Sequence, residues 1–322
     1  MPASSPGNSA VTSAAQQLLQ RLLANLETVI RGKRESLELL LCCLAAGGHA
    51  LLEDIPGTGK TTLAKALALS TQCVFKRVQF TPDLLPTDIV GSSILNPREG
   101  TFRFNPGPVF CNVLIADEIN RASPRTQSAL LEAMGEGQVT VDGQTHILEP
   151  PFFCIATQNP IEFHGTYPLP EAQLDRFSVQ LRLGYVTEEE ERRILRDQQS
   201  RHPLDTLEPV ATPADLLALQ QATERVTIEE TVLGYLLRLT AATREDVSVK
   251  LGVSTRGSLQ FARMARARAL LHGRDFVLPE DLKALAVPVL AHRLVLDTRA
   301  RYAGVDKRNV IAGLLEKIPV PK

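Results

Sequence analysis

Residues 54–61 read Asp-Ile-Pro-Gly-Thr-Gly-Lys-Thr, and residues 113–118 read Val-Leu-Ile-Ala-Asp-Glu. Small residues in the first stretch let backbone N–H groups point at an anion, and a helix starting there would add its positive end. Lys60 would then reach the β- and γ-phosphates of a nucleoside triphosphate, and the Thr61 hydroxyl would hold Mg2+. The general phosphate-loop pattern has glycine where this chain has Asp54, so the match is incomplete; Gly57, Gly59, Lys60 and Thr61 remain. The second stretch is an apolar run ending in two carboxylates. Alone it equally describes a strand followed by a solvated turn. Downstream of a phosphate loop it becomes a pair in which Asp117 orients Mg2+ through water and Glu118 polarises the attacking water.

Such residues need a scaffold that brings separate strand ends together, and the surrounding pattern predicts one. HALLED reads as a strand and KTTLAKALALS as a helix, followed by the strands VFKRVQF, NVLIADEI and FFCIATQ. Between the last two, Ser123 is placed as N-cap and Pro124 at the first helical position of a helix to Gly135. This alternation predicts an α/β fold with a mostly parallel sheet covered by helices on both faces. Two interruptions read as β-hairpins: GSSILNPREGTFRFNPGP, and QVTVDGQTHIL with its Asp142-Gly143 turn. Upstream, Leu18, Leu19, Leu22, Leu23 and Leu26 form one helical stripe, and a second helix carries Leu37, Leu40, Leu41 and Leu44. The strands are expected to stop near Val186, giving residues 1–12 without structure, a nucleotide-binding α/β core at 13–186 and an all-α domain at 187–322.

Composition bounds the partners. With 44% hydrophobic and 22% charged residues in 322, the chain has the make-up of a soluble globular protein of about two domains. Lys+Arg 35 against Asp+Glu 36 leaves no whole-chain field to draw in nucleic acid or anionic lipid, so nucleic acid is not an expected partner. The N-terminus lacks the basic start and apolar run of a signal peptide, and the longest apolar stretch, Leu39 to Ala46, is too short to span a bilayer. Five cysteines form no CxxC pair and no zinc spacing, and their odd number in a large core predicts buried reduced thiols in a cytoplasmic protein. Six scattered histidines have no HxxxH or HExxH spacing, and no GxSxG elbow occurs. Arg263, Arg266 and Arg268 read as a solvated basic helix face.

Five segments, GGHALLEDIPGTGKTTLAKALA, VQFTPDLLPTDIVG, VLIADEINRASPRTQSALLEAMGEGQVT, ATQNPIEFHGTYPLPEAQLDRF and GVSTRGSLQFARMARARALLHGRDFVLPEDL, closely resemble the MoxR family of AAA+ ATPases. The likeness runs from about Val29 to His292. It implies an AAA+ core with β-hairpin insertions and a helical lid, and ATP with Mg2+ as cofactors. It implies that Pro56, Gly57, Thr58, Gly59, Lys60, Thr61, Thr62 and Asp117 bind the nucleotide, with Thr61 and Asp117 at the metal. Asn159 matches sensor 1, beside Glu118 in catalysis; read alone, it is an Asn-Pro turn. Arg176 matches an arginine finger inserted into the neighbouring subunit's site, where a planar, permanently charged fork suits phosphoryl oxygens; read alone, it pairs with Asp175. Arg256 matches sensor 2, and Ile30 to Lys33 fall where relatives pack against adenine. The hairpins match insertions that face a pore or partner, so Phe102 and Phe104 either touch a client or pack on their own domain.

The function implied is an ATP-hydrolysing homo-oligomer, a hexameric ring with sites between subunits, which remodels a client protein in company with a von Willebrand factor A domain protein. The alternatives are a nucleotide-gated scaffold with negligible turnover, or a nucleic-acid motor or magnesium-chelatase-type subunit of the same clade.

Overall fold

A computed structural model describes residues 6–159, 166–197 and 202–321, the side chains of residues 6–10 excepted. Helices α1 (Pro6–Val29) and α2 (Arg34–Ala45) precede β1 (Ala50–Glu53), α3 (Lys60–Ser70) and β2 (Phe75–Gln79). A short α4 (Pro86–Val90) leads into the hairpin β3 (Gly91–Asn96) and β4 (Thr101–Pro106). Then follow β5 (Val113–Asp117), α5 (Pro124–Glu136), the hairpin β6 (Gln138–Val141) and β7 (Gln144–Ile147), β8 (Phe153–Gln158), α6 (Glu171–Leu174) and β9 (Val179–Leu181). The remainder comprises α7 (Glu188–Asp197), α8 (Pro213–Glu224), α9 (Glu230–Glu245), β10 (Val249–Leu251), α10 (Thr255–Leu271), α11 (Pro279–Leu290), β11 (Val295–Leu296), α12 (Thr298–Tyr302) and α13 (Lys307–Lys317).

Five strands form one parallel sheet in the order β2-β5-β8-β1-β9. The interior strand β5 is buried along its whole length, as expected of a parallel strand covered on both faces. Register sets Gln79 opposite Asp117 and Glu53 opposite Gln158, so four carboxyl ends open at one level. In open α/β sheets that edge is where ligands bind.

Both expected hairpins are present. Asp142 and Gly143 have φ of 50° and 75°, the pair of positive values that a two-residue turn of matching twist requires. Ser123 caps α5 by accepting from the Thr126 N–H, and the left-handed Gly137 ends it.

Two expectations at the ends of the core change. The segment expected to lack structure at 1–12 is helical from Pro6, and residues 1–5 lie outside the described part. The strand expected to run to Val186 ends at Leu181, because the N–H groups of Leu183 and Gly184 turn to the Asp54 carboxylate. Among the described residues the lid is mainly helical, with one small antiparallel ribbon, β10 with β11, and a single bridge between Thr227 and Phe276. Among the described residues no helix is long and apolar enough to cross a membrane.

Candidate functional site

The loop between β1 and α3 wraps an open space. Gly57 and Gly59 have φ of 85° and 87°, and a Cβ built on either would meet no atom within 4 Å. Glycine is needed there for the backbone angle, the kind of conformation that lets successive N–H groups form an anion-binding concavity. Lys60 Nζ donates to the carbonyls of Asp54 (3.1 Å) and Ile55 (2.6 Å), so the ammonium folds back over its own loop. These are oxygens that phosphate oxygens could replace.

A cavity of about 380 Å³ opens above the loop. Pro56, Gly57, Gly59, Lys60, Thr61 and Thr62 line one side; Asp117, Glu118, Thr157, Gln158 and Asn159, with Arg77 and Gln79, line the other. A second cavity, of about 430 Å³, shares Pro56, Gly57, Gly59 and Thr62 and adds Thr58. Its far wall holds Ile30, Arg31, Lys33 and the exposed Tyr185, together with Ile194 and Leu195 of α7. A polar compartment next to a partly apolar one suits phosphates beside a base.

The two carboxylates are held differently. Asp117, buried at the end of β5, accepts from Thr157 Oγ1 (2.6 Å) and from Arg77 Nη2 (2.7 Å). Glu118 follows in the left-handed region at φ 57°, a costly conformation for a non-glycine residue that persists only when surroundings enforce it. Here the Thr157 hydroxyl accepts its N–H at 2.9 Å. Its carboxylate meets Gln79 Nε2 at 2.8 Å and Arg121 Nε at 3.2 Å. Glu118 is thereby turned back over the cavity, while Asp117 stays in the strand line.

The residues named from sequence separate into two groups. Asn159 is buried and lines the cavity beside Glu118. Arg176 and Arg256 line neither cavity. Arg176 lies half-buried against α5, with Nη1 donating to Leu131 O at 2.6 Å, and Asp175 pairs with Arg293 instead. Arg256 is exposed in the first turn of α10.

Sequence reasoning passed over Arg77, Gln79 and Thr157. A signal was available: alternation places Arg77 and Gln79 on one face of β2, and Thr157 with Asn159 on one face at the end of β8. It also left Asp54 unexplained. That carboxylate, 5% exposed, accepts from the N–H groups of Ile55 (2.9 Å), Leu183 (2.7 Å) and Gly184 (2.7 Å). It fastens the start of the loop to the segment that follows β9 and leads to the lid.

Comparison with known proteins agrees with this geometry. Residues 49–179 match the family described as "ATPase family associated with various cellular activities (AAA)", and residues 241–312 match "AAA lid domain". The chain is 48% identical over 304 residues to "Uncharacterized protein YeaC" of Bacillus subtilis, covering 94% of this chain and 95% of that one. It is 39% identical over 326 residues to "Chaperone MoxR1" of Mycobacterium tuberculosis, covering 98% and 86%. A crystal structure of a protein from Cytophaga hutchinsonii superposes with a TM-score of 0.90 at 37% identity, covering 97% of this chain and 98% of that one.

Proposed function

The chain belongs to the MoxR family of AAA+ ATPases, and from that premise we propose that it hydrolyses ATP at sites shared between subunits of a ring and uses the cycle to remodel a client protein. The observation that supports the shared site is a division within the chain. Loop, carboxylates and Asn159 surround one cavity, while Arg176, the cation assigned to the transferring phosphoryl group, lies elsewhere.

The residues present fit the nucleotide and its metal. The open space over Gly57 and Gly59 receives phosphate, and Thr61 and Asp117 face the same cavity as ligands for Mg2+, Asp117 through water. When bound, Mg2+ neutralises charge between the phosphates. Lys60 exchanges its carbonyl partners for phosphate oxygens. Glu118 orients and polarises the attacking water, Asn159 helps to place it, and Arg176 of the adjacent subunit stabilises charge as it develops. Ile30 to Lys33 flank the base, and Arg256 of the lid serves as sensor 2. The family's chaperone-named relative supports a client protein as the target. The candidate companion, a von Willebrand factor A domain protein, rests on the family resemblance in the sequence alone.

The test is steady-state ATPase activity across a dilution series. Activity per subunit is expected to rise with protein concentration, and Arg176→Ala to lose about 10³-fold or more, as arginine fingers supplied in trans do. Glu118→Gln should retain ATP binding and lose roughly 10²–10⁴-fold in kcat, the usual contribution of a general base. Activity that is independent of concentration and unchanged in Arg176→Ala would defeat the shared site. An active Glu118→Gln protein would show the wrong carboxylate was assigned. For the client, proteins captured on ATP-loaded Glu118→Gln but not on Lys60→Ala support remodelling; recovery of nucleic acid alone would replace it with a motor.

A further inference from the structure

Arg293 is an arginine 4% exposed, and it crosses from the lid into the core. Its Nε donates to Asp175 Oδ1 at 3.0 Å, its Nη2 to Phe177 O at 2.6 Å and its Nη1 to Ser178 O at 3.5 Å. Nη1 also donates to Val289 O on α11, which ties the guanidinium back to its own helical segment. A second lid group joins it: Ser254, the N-cap of α10, donates from Oγ to Asp175 Oδ2 at 2.8 Å. Both carboxylate oxygens of Asp175 and the carbonyls of Phe177 and Ser178 are therefore held from the lid. Arg176 is the residue they bracket.

Local packing accommodates this crossing. A Cβ on Gly257, in the first turn of α10, would fall 2.9 Å from Arg293 Cδ and 3.0 Å from its Nε. The absence of a side chain there is what lets the arginine pass. On the other side, a Cβ on Gly135 would lie 2.1 Å from Arg176 Nη1, so α5 presents a bare backbone where the Arg176 guanidinium rests. A planar fork making bonds in several directions cannot be replaced by a point charge. Burial lowers the Arg293 pKa to about 10, and Asp175 opposes the fall, so the group stays charged at neutral pH.

We propose that Arg293, with Ser254, is a positioning residue for Arg176: it makes the turn that carries Arg176 move with the lid, so that lid movement over a subunit's own nucleotide changes how Arg176 is presented to the next subunit. The proposal rests on the reading of Arg176 as acting in trans.

Mixed rings separate the two claims. Arg176→Ala subunits keep their own carboxylates and need a finger from a neighbour; Glu118→Gln subunits cannot hydrolyse and supply one. Mixing them is expected to restore ATPase activity. Glu118→Gln subunits that also carry Arg293→Lys should restore at least about tenfold less, since misplacement by ~1 Å costs up to ~100-fold. The deficit should fall on kcat with KM for ATP unchanged, while the added subunits keep their binding of a fluorescent ATP analogue and their sedimentation. Glu118→Gln subunits with Ser254→Ala, which removes the contact to Asp175 and the capping bond to the Gly257 N–H, should show a smaller deficit of the same kind and carry the test if Arg293→Lys does not fold. Failure of plain Glu118→Gln subunits to restore activity would overturn the trans reading and this proposal with it. Full restoration by the Ser254→Ala and Arg293→Lys subunits alike would overturn the proposal alone.

Discussion

Asp54 stands where the general phosphate-loop pattern has glycine, and its three bonds to backbone N–H groups give the reason. A glycine would leave the Leu183 and Gly184 N–H groups, in a largely buried position, without an acceptor. An asparagine would fit the volume but turn a donor toward donors. Hydrogen bonds to a charged acceptor contribute about 1.5–3 kcal/mol each, and an orphaned buried donor costs about as much as its desolvation. Asp54→Asn is therefore expected to lower unfolding free energy by roughly 2 kcal/mol in chemical denaturation and to weaken ATP binding. Unchanged stability with unchanged binding would show that the loop does not need this fastening. Glu118 teaches a related lesson. Its residue type was readable in sequence, whereas its left-handed backbone, set by the Thr157 hydroxyl on a different strand, was not.

At the scale of elements, the two hairpins lie together and treat their aromatic residues oppositely. Phe104 stacks on His146 of the second hairpin with ring centroids 3.7 Å apart and 13° between planes, and meets Phe110 edge-on at 5.5 Å. Phe102 is 73% exposed. Phe104→Ala is expected to cost about 1–3 kcal/mol of stability, and Phe102→Ala less than about 0.5, measured by thermal unfolding. Equal costs would contradict the packing described. Alternation alone told that one face of the strand was apolar; the partner across the gap needed the fold. A second joint is His49, whose Nδ1 accepts from Cys154 N on β8, leaving Nε2–H for Met134 O on α5, each at 3.0 Å. Burial lowers its pKa from 6.5 to about 4. As pH falls below 6.5 the unfolded chain takes up the proton first, so stability is full above 6.5 and declines toward pH 4. The loss approaches about 3 kcal/mol for this one group. His292, buried against the turn at Phe177, is lowered in the same direction and adds to it. Urea unfolding at pH 7 and pH 5 should show the decline, and His49→Gln should make it shallower; a slope identical to the parent would remove His49 as a source.

Across the whole molecule, α1 and α2 join one apolar core with the lid helices and one face of the sheet. Leu37, Leu40, Leu41 and Leu44 of α2 are in the same buried cluster as Leu216, Phe261, Leu270 and Leu285 of the lid, and as Leu52 and Ile155 of the sheet. A fragment of residues 1–186 would expose that stripe. It is expected to aggregate or to unfold without a cooperative transition, whereas the full chain should unfold in one calorimetric step. A fragment that folds and binds ATP would show that the lid is dispensable to the core. Most elements and the short-range chemistry were legible along the chain, element ends excepted. Phosphate loop, carboxylate pair, Asp-Gly hairpin and capped helix α5 each depend on residues a few positions apart, whose torsions and hydrogen bonds are local. Which distant groups complete them emerges from the folded arrangement. Arg77 and Gln79 meet Asp117 and Glu118 through strand register, Asp54 reaches Leu183, and Arg293 reaches the turn at Arg176 across 118 positions from its partner Asp175. Those pairings follow from the order of strands in the sheet and from how the lid packs, and no local pattern encodes either.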